Sequence, residues 1–271
     1  MDDLGDMIQI ERRMTAVHSV KQVVSAIWAL ARAQQPLVEQ AAAGLSAYLD
    51  QVDAVVDALA GAPRPPRGHP AATISVVIGP ERPWCGAMPR QVLAQVPREG
   101  PIGLVGARLA EAAESDASLQ ARLAFALPGA VTPEDAEPVA RRVAEQLLQR
   151  AAPPSVRLFY PAEGGALLRP VMLLGGERER RYGAPSTLSP WSDVLRAAVF
   201  EAVTGRLAVV VLEALRSEVR ARVVAAEQAK RACDARLAEL ELRWRVERQE
   251  QITAEILEVV SGHRAAQGRQ R

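Results

Sequence analysis

A seven-residue repeat of apolar side chains extends through the first sixty residues of the chain. The repeating positions alternate in spacing between three and four, and only Lys21 and Gln35 interrupt the apolar series. They are Ile10, Met14, Val17, Lys21, Val24, Trp28, Ala31, Gln35, Val38, Ala42, Leu45, Leu49, Val52, Val56 and Leu59. A repeat of this length places one narrow stripe along a helix and requires a partner helix with left-handed supercoiling. Pro36 lacks a backbone donor and predicts a kink or a pause in this helix.

A second long helix is predicted near the C-terminus. From Pro190 onward no proline or other helix-ending signal occurs until Gly262. Roughly seventy helical residues span on the order of 105 Å, which exceeds a compact domain of this size, so we expect the helix to project as part of a rod. Its apolar positions are Leu212, Leu215, Val219, Ala226, Cys233, Leu237, Leu240 and Trp244, followed by a separate apolar group at Ile252, Ile256, Val259 and Val260.

These two patterns predict an antiparallel coiled coil formed by the two ends of one chain. The seam residues, which are those expected to face the partner helix, are Val17, Val24, Trp28, Leu45, Leu49, Leu215, Val219, Leu237, Leu240 and Trp244.

The segment between the two helices has the pattern of an inserted α/β domain. A stretch rich in proline and glycine, Gly61 to Gly68, cannot continue a helix and reads as a linker. Beyond it, strands and helices alternate, which predicts a compact, Rossmann-like α/β domain in a mostly helical α+β protein. The predicted strands are 73–78, 102–105, 123–127, 156–160 and 167–174, and the predicted helices are 90–96, 107–114 and 133–150. The predicted boundaries are 1–60 for the first helix, 61–72 for the linker, 73–185 for the insert, 186–262 for the second helix and 263–271 for a flexible tail.

Composition excludes several classes of function. The formal net charge is +1, so bulk charge gives no attraction to nucleic acid or to anionic lipid. Cys85 and Cys233 lie far apart in the sequence, which excludes a closely spaced metal or redox motif and favours a reduced, intracellular protein. The N-terminus lacks the pattern of a signal peptide, and no run of 18 apolar residues occurs, so we expect no direct membrane insertion.

The C-terminal segment carries the most specific pattern in the chain. It reads Arg248-Gln249-Glu250-Gln251-Ile252-Thr253-Ala254-Glu255-Ile256-Leu257-Glu258-Val259-Val260-Ser261-Gly262. This order resembles the C-terminal signature of ATP synthase gamma subunits, Arg-Gln-x-x-Ile-Thr-x-Glu-(Ile/Leu)-x-Glu-Ile-Val-Ser-Gly. Upstream, Ser217 and Glu218, with Arg220 and Arg222 close behind, resemble the Ser-Glu-x-x-Ala-Arg-Met segment of the same family.

Two further segments are similar to that family. Residues 81–86, Glu-Arg-Pro-Trp-Cys-Gly, follow the first strand as Asp-Arg-Gly-Leu-Cys-Gly does there, and we expect a tight turn with Cys85 buried and Gly86 supplying backbone freedom. Residues 13–26 resemble the family's N-terminal helix, although Gln22 stands where the family usually has Lys and Val24 where it has Thr. This divergence fits the alternative, N-type branch of F-type ATPases as well as an ordinary synthase.

The resemblance implies the central rotor stalk of an F-type ATP synthase or ATPase. Such a stalk couples ion flow through a membrane rotor ring to ATP synthesis or hydrolysis in a catalytic hexamer by rotation. The implied partners are the alpha and beta subunits, the epsilon subunit and the membrane c-subunit ring, with ATP, ADP and Mg²⁺ bound by partner subunits and no catalytic site or cofactor on this chain. The residues implied to contact the hexamer are Arg248, Gln249, Ile252, Thr253, Ile256, Val259, Val260 and Gln22.

The implied location is peripheral, on the cytoplasmic face of the inner or plasma membrane of a bacterial-type cell. Two other functions remain open at this point. One is a non-rotary coiled-coil adaptor or scaffold. The other is an independent α/β enzyme with helical arms, which requires a ligand pocket within residues 70–180. The glycines at 103 and 106 end a strand but lack the Gly-Lys-Ser/Thr of a phosphate-binding loop, so we expect no nucleotide site there.

Overall fold

The computed structural model describes the backbone of residues 2–60, 73–148, 155–162, 165–166 and 190–268. The chain divides into two compact units, one made of Met1–Ala29 with Val224–Arg271 and the other of Leu30–Val223. The predicted linker at 61–72, the predicted strand at 167–174 and the predicted boundary at 185 lie outside the described residues.

Helix α1 spans Asp2–Ala60 and continues through Pro36, so the proline does not break it. A proline inside a helix costs about 3 kcal/mol, because one hydrogen bond is lost and the ring presses on the preceding turn. Burial close by offsets this cost, since Ala31 and Val38 on either side of the proline are almost completely enclosed.

Helix α6 spans Trp191–Gly268 and therefore extends past the predicted end at Gly262. Residues 263–268, expected to begin a flexible tail, belong to this helix instead. Glycine inside a helix costs only about 1 kcal/mol, and the residues that follow Gly262 include alanines, arginine and glutamine, which are good helix formers.

The insert contains a parallel sheet of four strands. They are β1 (Thr73–Ile78), β2 (Ile102–Val105), β3 (Leu123–Leu127) and β4 (Ser155–Phe159), in the order β3-β2-β1-β4. This order reverses at β1, as in the first half of a doubly wound α/β fold. At Gly103 in β2, a side chain would have its Cβ 2.2 Å from the Phe125 ring of β3, so the ring can lie in this position only because residue 103 is glycine.

Short helices connect the strands. They are α2 (Met88–Leu93), α3 (Ala107–Glu114), α4 (Ala117–Gln120), a 3₁₀ turn (Pro133–Asp135) and α5 (Ala136–Leu148). After β4, the two-residue strands β5 (Pro161–Ala162) and β6 (Gly165–Ala166) pair antiparallel.

Both faces of the sheet are covered, which explains why the strands are almost uniformly apolar. One face packs against α5 and α6, and the core there includes Val76, Leu158, Val143, Leu147, Leu207, Val211 and Leu215. The other face packs against α2, α3 and α4 through Val77, Leu104, Phe159, Val92, Leu109 and Leu119. A mostly helical chain with an inserted Rossmann-like sheet confirms the expected fold class.

The helices α1 and α6 pair antiparallel in the unit made of Met1–Ala29 and Val224–Arg271. Lys21 Nζ lies 2.6 Å from Asp234 Oδ1, and Trp244 Nε1 donates to Glu11 Oε1 at 3.1 Å, so residue numbers rise on one helix as they fall on the other. The seam residues Val24, Leu237 and Leu240 are buried, and Val17 and Trp244 are partly buried.

The same pairing direction holds within the unit Leu30–Val223. Arg220 Nη2 lies 3.2 Å from Glu39 Oε1, and the Tyr48 hydroxyl donates to Glu201 Oε1 at 2.9 Å. Leu215 and Val219 of α6 are buried, while Leu45 and Leu49 of α1 are partly buried.

Candidate functional site

The last turns of α6 carry a group of exposed apolar side chains. Exposure ranges from 42% at Val260 to 72% at Val259. The group, which we call the apolar end, consists of Ile252, Ile256, Leu257, Val259 and Val260. Single exposed apolar residues are ordinary, but five within nine residues indicate a surface that another protein covers.

The polar residues of the same segment bond to groups on their own helix. Arg248 Nη1 donates to Gln251 Oε1 at 3.3 Å, and Thr253 Oγ1 donates to the carbonyl of Gln249 at 2.8 Å. Arg248, Gln249 and Thr253 are all exposed, so their polar groups face solvent and can be recruited by a partner.

Gln22 is also exposed, but the structure does not place it beside Arg248. Its neighbour Lys21 pairs with Asp234, and Arg248 lies fourteen residues further along α6, roughly 21 Å at 1.5 Å per residue. Of the predicted contact residues, those of the apolar end and Arg248, Gln249 and Thr253 form one surface, and Gln22 lies apart from it.

Trp28 differs from the other seam residues because it is 36% exposed. The indole ring is too large for two helices to enclose fully, and it lies 5.9 Å from Lys230 Nζ, within the range of a cation-π contact.

Lys21, which interrupts the apolar repeat, makes the ion pair with Asp234. Polar contacts at seam positions fix the register of a helix pair more than they stabilise it.

A second site of interest is a buried polar network in the unit Leu30–Val223, where α6 meets the sheet. Glu218 of α6 accepts hydrogen bonds from the backbone N–H of Glu81 at 3.0 Å and of Arg82 at 3.1 Å. It also forms an ion pair with Arg222, one turn further along the helix. Ser217 Oγ donates to the carbonyl of Pro161 at 2.8 Å. The loop after β1 and the start of β5, which follows β4, are therefore both bonded to neighbouring residues of α6.

Burial sets the electrostatics of this network. It raises the pKa of Glu218 above the ordinary value, while the N–H donors of Glu81 and Arg82 and the charge of Arg222 act in the opposite direction. Burial also raises the pKa of the nearby Cys85 thiol, and the negative charge of Glu218 adds to this effect. A thiol held in its neutral form is a poor nucleophile.

The turn after β1 has the predicted geometry. Cys85 is buried, and Gly86 has a φ of +62°, which lies in the left-handed region that favours glycine. Trp84 shares this region with a φ of +70°, an uncommon value for a bulky residue, and its side chain is exposed.

The α/β domain also has an open groove of about 600 Å³. It is lined in part by Arg90, Arg98, Asp116 and Arg122, and the Arg122 guanidinium is bonded to the carbonyls of Pro97 and Gly100. Arg98 and Arg122 come just before β2 and β3, at the amino ends of these strands, whereas parallel sheets of this type bind ligands at the carboxyl ends. The groove therefore does not favour an independent enzyme.

A family model described as ATP synthase matches residues 6–266, which is nearly the whole chain. The chain belongs to the ATP synthase gamma-subunit family. This membership confirms the rotor-stalk role implied by the C-terminal motif and disfavours the non-rotary adaptor. No curated protein matches this gamma-family chain by sequence.

Solved structures share the fold of this gamma-family chain at low sequence identity. A chain of the Euglena gracilis mitochondrial ATP synthase rotor is similar with a TM-score of 0.63 and 16% identity, over 92% of this chain and 99% of that one. A chain of the Euglena gracilis OSCP/F1/c-ring assembly gives 0.67 and 16%, over 98% and 96%. A chain of the Tetrahymena thermophila mitochondrial central stalk and c-ring gives 0.55 and 15%, over 76% and 99%.

None of the helices in the described part of this gamma-family chain is long and apolar enough to cross a membrane.

The polar network around Glu218 is not predictable from the sequence. In the sequence, Ser217 and Glu218 stand out only as part of a family motif, and no local pattern indicates that Glu218 bonds to residues 137 and 136 positions away.

Proposed function

We propose that this chain is the rotating shaft of an F-type ATP synthase or ATPase, coupling ion flow through a membrane c-subunit ring to ATP chemistry in a hexamer of alpha and beta subunits. The observation that carries the proposal is the exposed apolar end of α6 within a chain of the gamma-subunit family. Apolar contacts are non-directional, so a surface of this kind can turn within a sleeve formed by other subunits.

The apolar end, together with Arg248, Gln249 and Thr253, is proposed to face the catalytic hexamer. A guanidinium can pair with a carboxylate through two parallel hydrogen bonds, and the amide and hydroxyl groups can exchange partners as the shaft turns. Gln22 is proposed as a separate contact with the hexamer, on α1 and away from the apolar end. The matched chains come from assemblies described as rotor, F1 with c-ring, and central stalk with c-ring, which supports hexamer and ring as partners.

The α/β domain is proposed to form the foot that rests on the c-subunit ring and on the epsilon subunit. In this proposal the chain has no catalytic site and binds no cofactor, and ATP, ADP and Mg²⁺ are held by partner subunits. Folds of this type bind ligands in the crevice at the carboxyl ends of β1 and β4. Here Ser217 and Glu218 occupy that crevice, which supports the proposal that this chain binds no cofactor. The proposed location is peripheral, on the cytoplasmic face of a bacterial-type membrane.

Affinity purification of the full chain from its own cells tests this function. The expected result is co-purification of a catalytic hexamer with ATPase activity and of a membrane ring. Recovery of the chain without any ATPase would contradict the proposal and would favour a scaffold.

A further inference from the structure

The crevice where the strand order reverses is occupied by the chain itself. In doubly wound folds, the carboxyl ends of the strands on either side of the reversal form the usual ligand site. Here the Glu218 carboxylate accepts the N–H groups of Glu81 and Arg82 after β1, and Ser217 donates to the carbonyl of Pro161 after β4. The backbone groups that would meet a ligand are therefore bonded to α6.

Burying the ion pair of Glu218 and Arg222 costs free energy, so a gain in stability alone does not explain it. The side chains of Glu218 and Arg222 are 2% and 6% exposed, so both charges have lost nearly all their water. Apolar residues of similar volume often stabilise a core as well as or better than a buried ion pair. Arg222 also donates to Gln34 Oε1 of α1 at 3.2 Å, which extends the pair to the second long helix.

A second carboxylate holds the loop that supplies the two N–H donors. Glu81 Oε2 accepts hydrogen bonds from the N–H of Ala107 at 2.8 Å and of Gly129 at 2.7 Å. These residues follow β2 and β3, so the loop after β1 is fixed to its neighbours in the sheet. One network of directional bonds thereby connects α1, α6 and the carboxyl ends of all four strands.

We propose that Glu218, with Ser217 and Arg222, is the mechanical joint that holds the sheet domain in a fixed orientation on its helices and passes turning force from one to the other without slip. The inference rests on the proposed rotor function. Apolar contacts across the same interface resist separation but permit sliding, whereas hydrogen bonds of fixed length and direction resist sliding. Glu218 is a positioning residue, since it acts through the loop at Glu81 and Arg82.

The test compares Glu218→Gln with Glu227→Gln in complexes purified from cells whose only copy of the chain is the variant. Both substitutions remove the carboxylate of an i,i+4 pair with arginine on α6, but Glu227 is exposed and pairs with Arg231 on its own helix. Two quantities are measured. The first is the uptake of protons or sodium ions, per ATP hydrolysed, by vesicles into which the purified complex has been inserted. The second is the rate of hydrogen exchange at the backbone amides of Glu81 and Arg82.

We expect Glu218→Gln to lower ion uptake per ATP severalfold and to speed exchange at one of the two amides about tenfold, because the glutamine side chain keeps a single acceptor oxygen and one ordinary hydrogen bond is lost. Glu227→Gln leaves both quantities unchanged. If the Glu218→Gln complex assembles and keeps the wild-type uptake per ATP, the joint is refuted, whatever happens to the melting temperature.

If Glu218→Gln chains fail to accumulate, the same measurements are made on Ser217→Ala. This variant is expected to fold, because it loses only the hydrogen bond to Pro161 and no charge. Lowered uptake per ATP in this variant supports the joint, and wild-type uptake overturns it. Failure of the rotor function itself is distinguishable, since it appears as a lack of ATP-driven uptake in the wild-type complex.

Discussion

Asp135 gives this fold a measurable dependence on pH. Its carboxylate accepts hydrogen bonds from the N–H groups of Thr132 and Val131 and from the Thr132 hydroxyl, at 2.8, 2.9 and 3.1 Å. These bonds, led by the one from the Thr132 backbone, hold the pKa of Asp135 below its ordinary value. A lowered pKa means that the folded chain binds the proton less tightly than the unfolded chain, so folding is favoured when Asp135 is ionised.

We expect Asp135→Asn to lower the unfolding midpoint at pH 7, where the wild-type carboxylate is charged. The stabilisation is fully present above the unfolded pKa of about 4 and is lost as pH falls through the lower folded pKa. Denaturant titrations at neutral and acidic pH check this, with Glu134→Gln, an exposed neighbour, as the control. A difference between Asp135→Asn and wild type that persists unchanged at acidic pH would show that charge is not the cause.

Local sequence patterns predict the burial and backbone conformation of some residues but not of others. The turn at Cys85 and Gly86 followed from the requirements of a tight connection, and the structure shows the buried thiol and the positive φ. The burial of Glu218 had no such signal, because a glutamate in a long helix is ordinarily a solvated charge. Only the folded chain brings it to Glu81 and Arg82.

Pairing of the two long helices depends on the buried side of each apolar repeat. Leu240 is 1% exposed, whereas Leu242 on the same helix is 63% exposed. Leu240→Ala is expected to destabilise this helix pair by roughly 2–5 kcal/mol, because it leaves a cavity between the helices. Leu242→Ala is expected to change stability by less than about 0.5 kcal/mol.

Urea unfolding of the full chain, followed by the helical circular dichroism signal, measures both variants. Equal effects of the two substitutions would mean that the helices do not pair through the buried side.

Helix existence was predictable from the repeat, but helix ends were not. Pro36 and Gly262 are the usual signals for a break or an end, yet α1 and α6 continue through them. Each signal costs only about 1–3 kcal/mol, which burial nearby or good helix formers can offset. The alternation of strands and helices likewise predicted the α/β insert, while the strand order depends on contacts between segments far apart in the sequence.

For the whole molecule, removal of the C-terminal segment separates coupling from folding. Truncation after Trp244 deletes the apolar end, yet the described cores around the sheet contain no residue beyond Val219. We expect the α/β domain to fold, while ion pumping per ATP falls strongly in the purified complex. Truncation after Gly262, which keeps the apolar end, is the control and should retain coupling. Full coupling after loss of residues 245–271 would contradict the proposed hexamer contacts.

Direct observation of rotation tests the central claim. Glu99→Cys places an exposed thiol on the α/β domain for a visible probe, with Cys233 replaced by Ala and Cys85 left buried. The complex is fixed to glass through its catalytic subunits and supplied with ATP. We predict that the probe turns in one direction for many revolutions and stops when ATP is removed. ATP hydrolysis by complexes whose probe only fluctuates about a fixed position would contradict the rotor function.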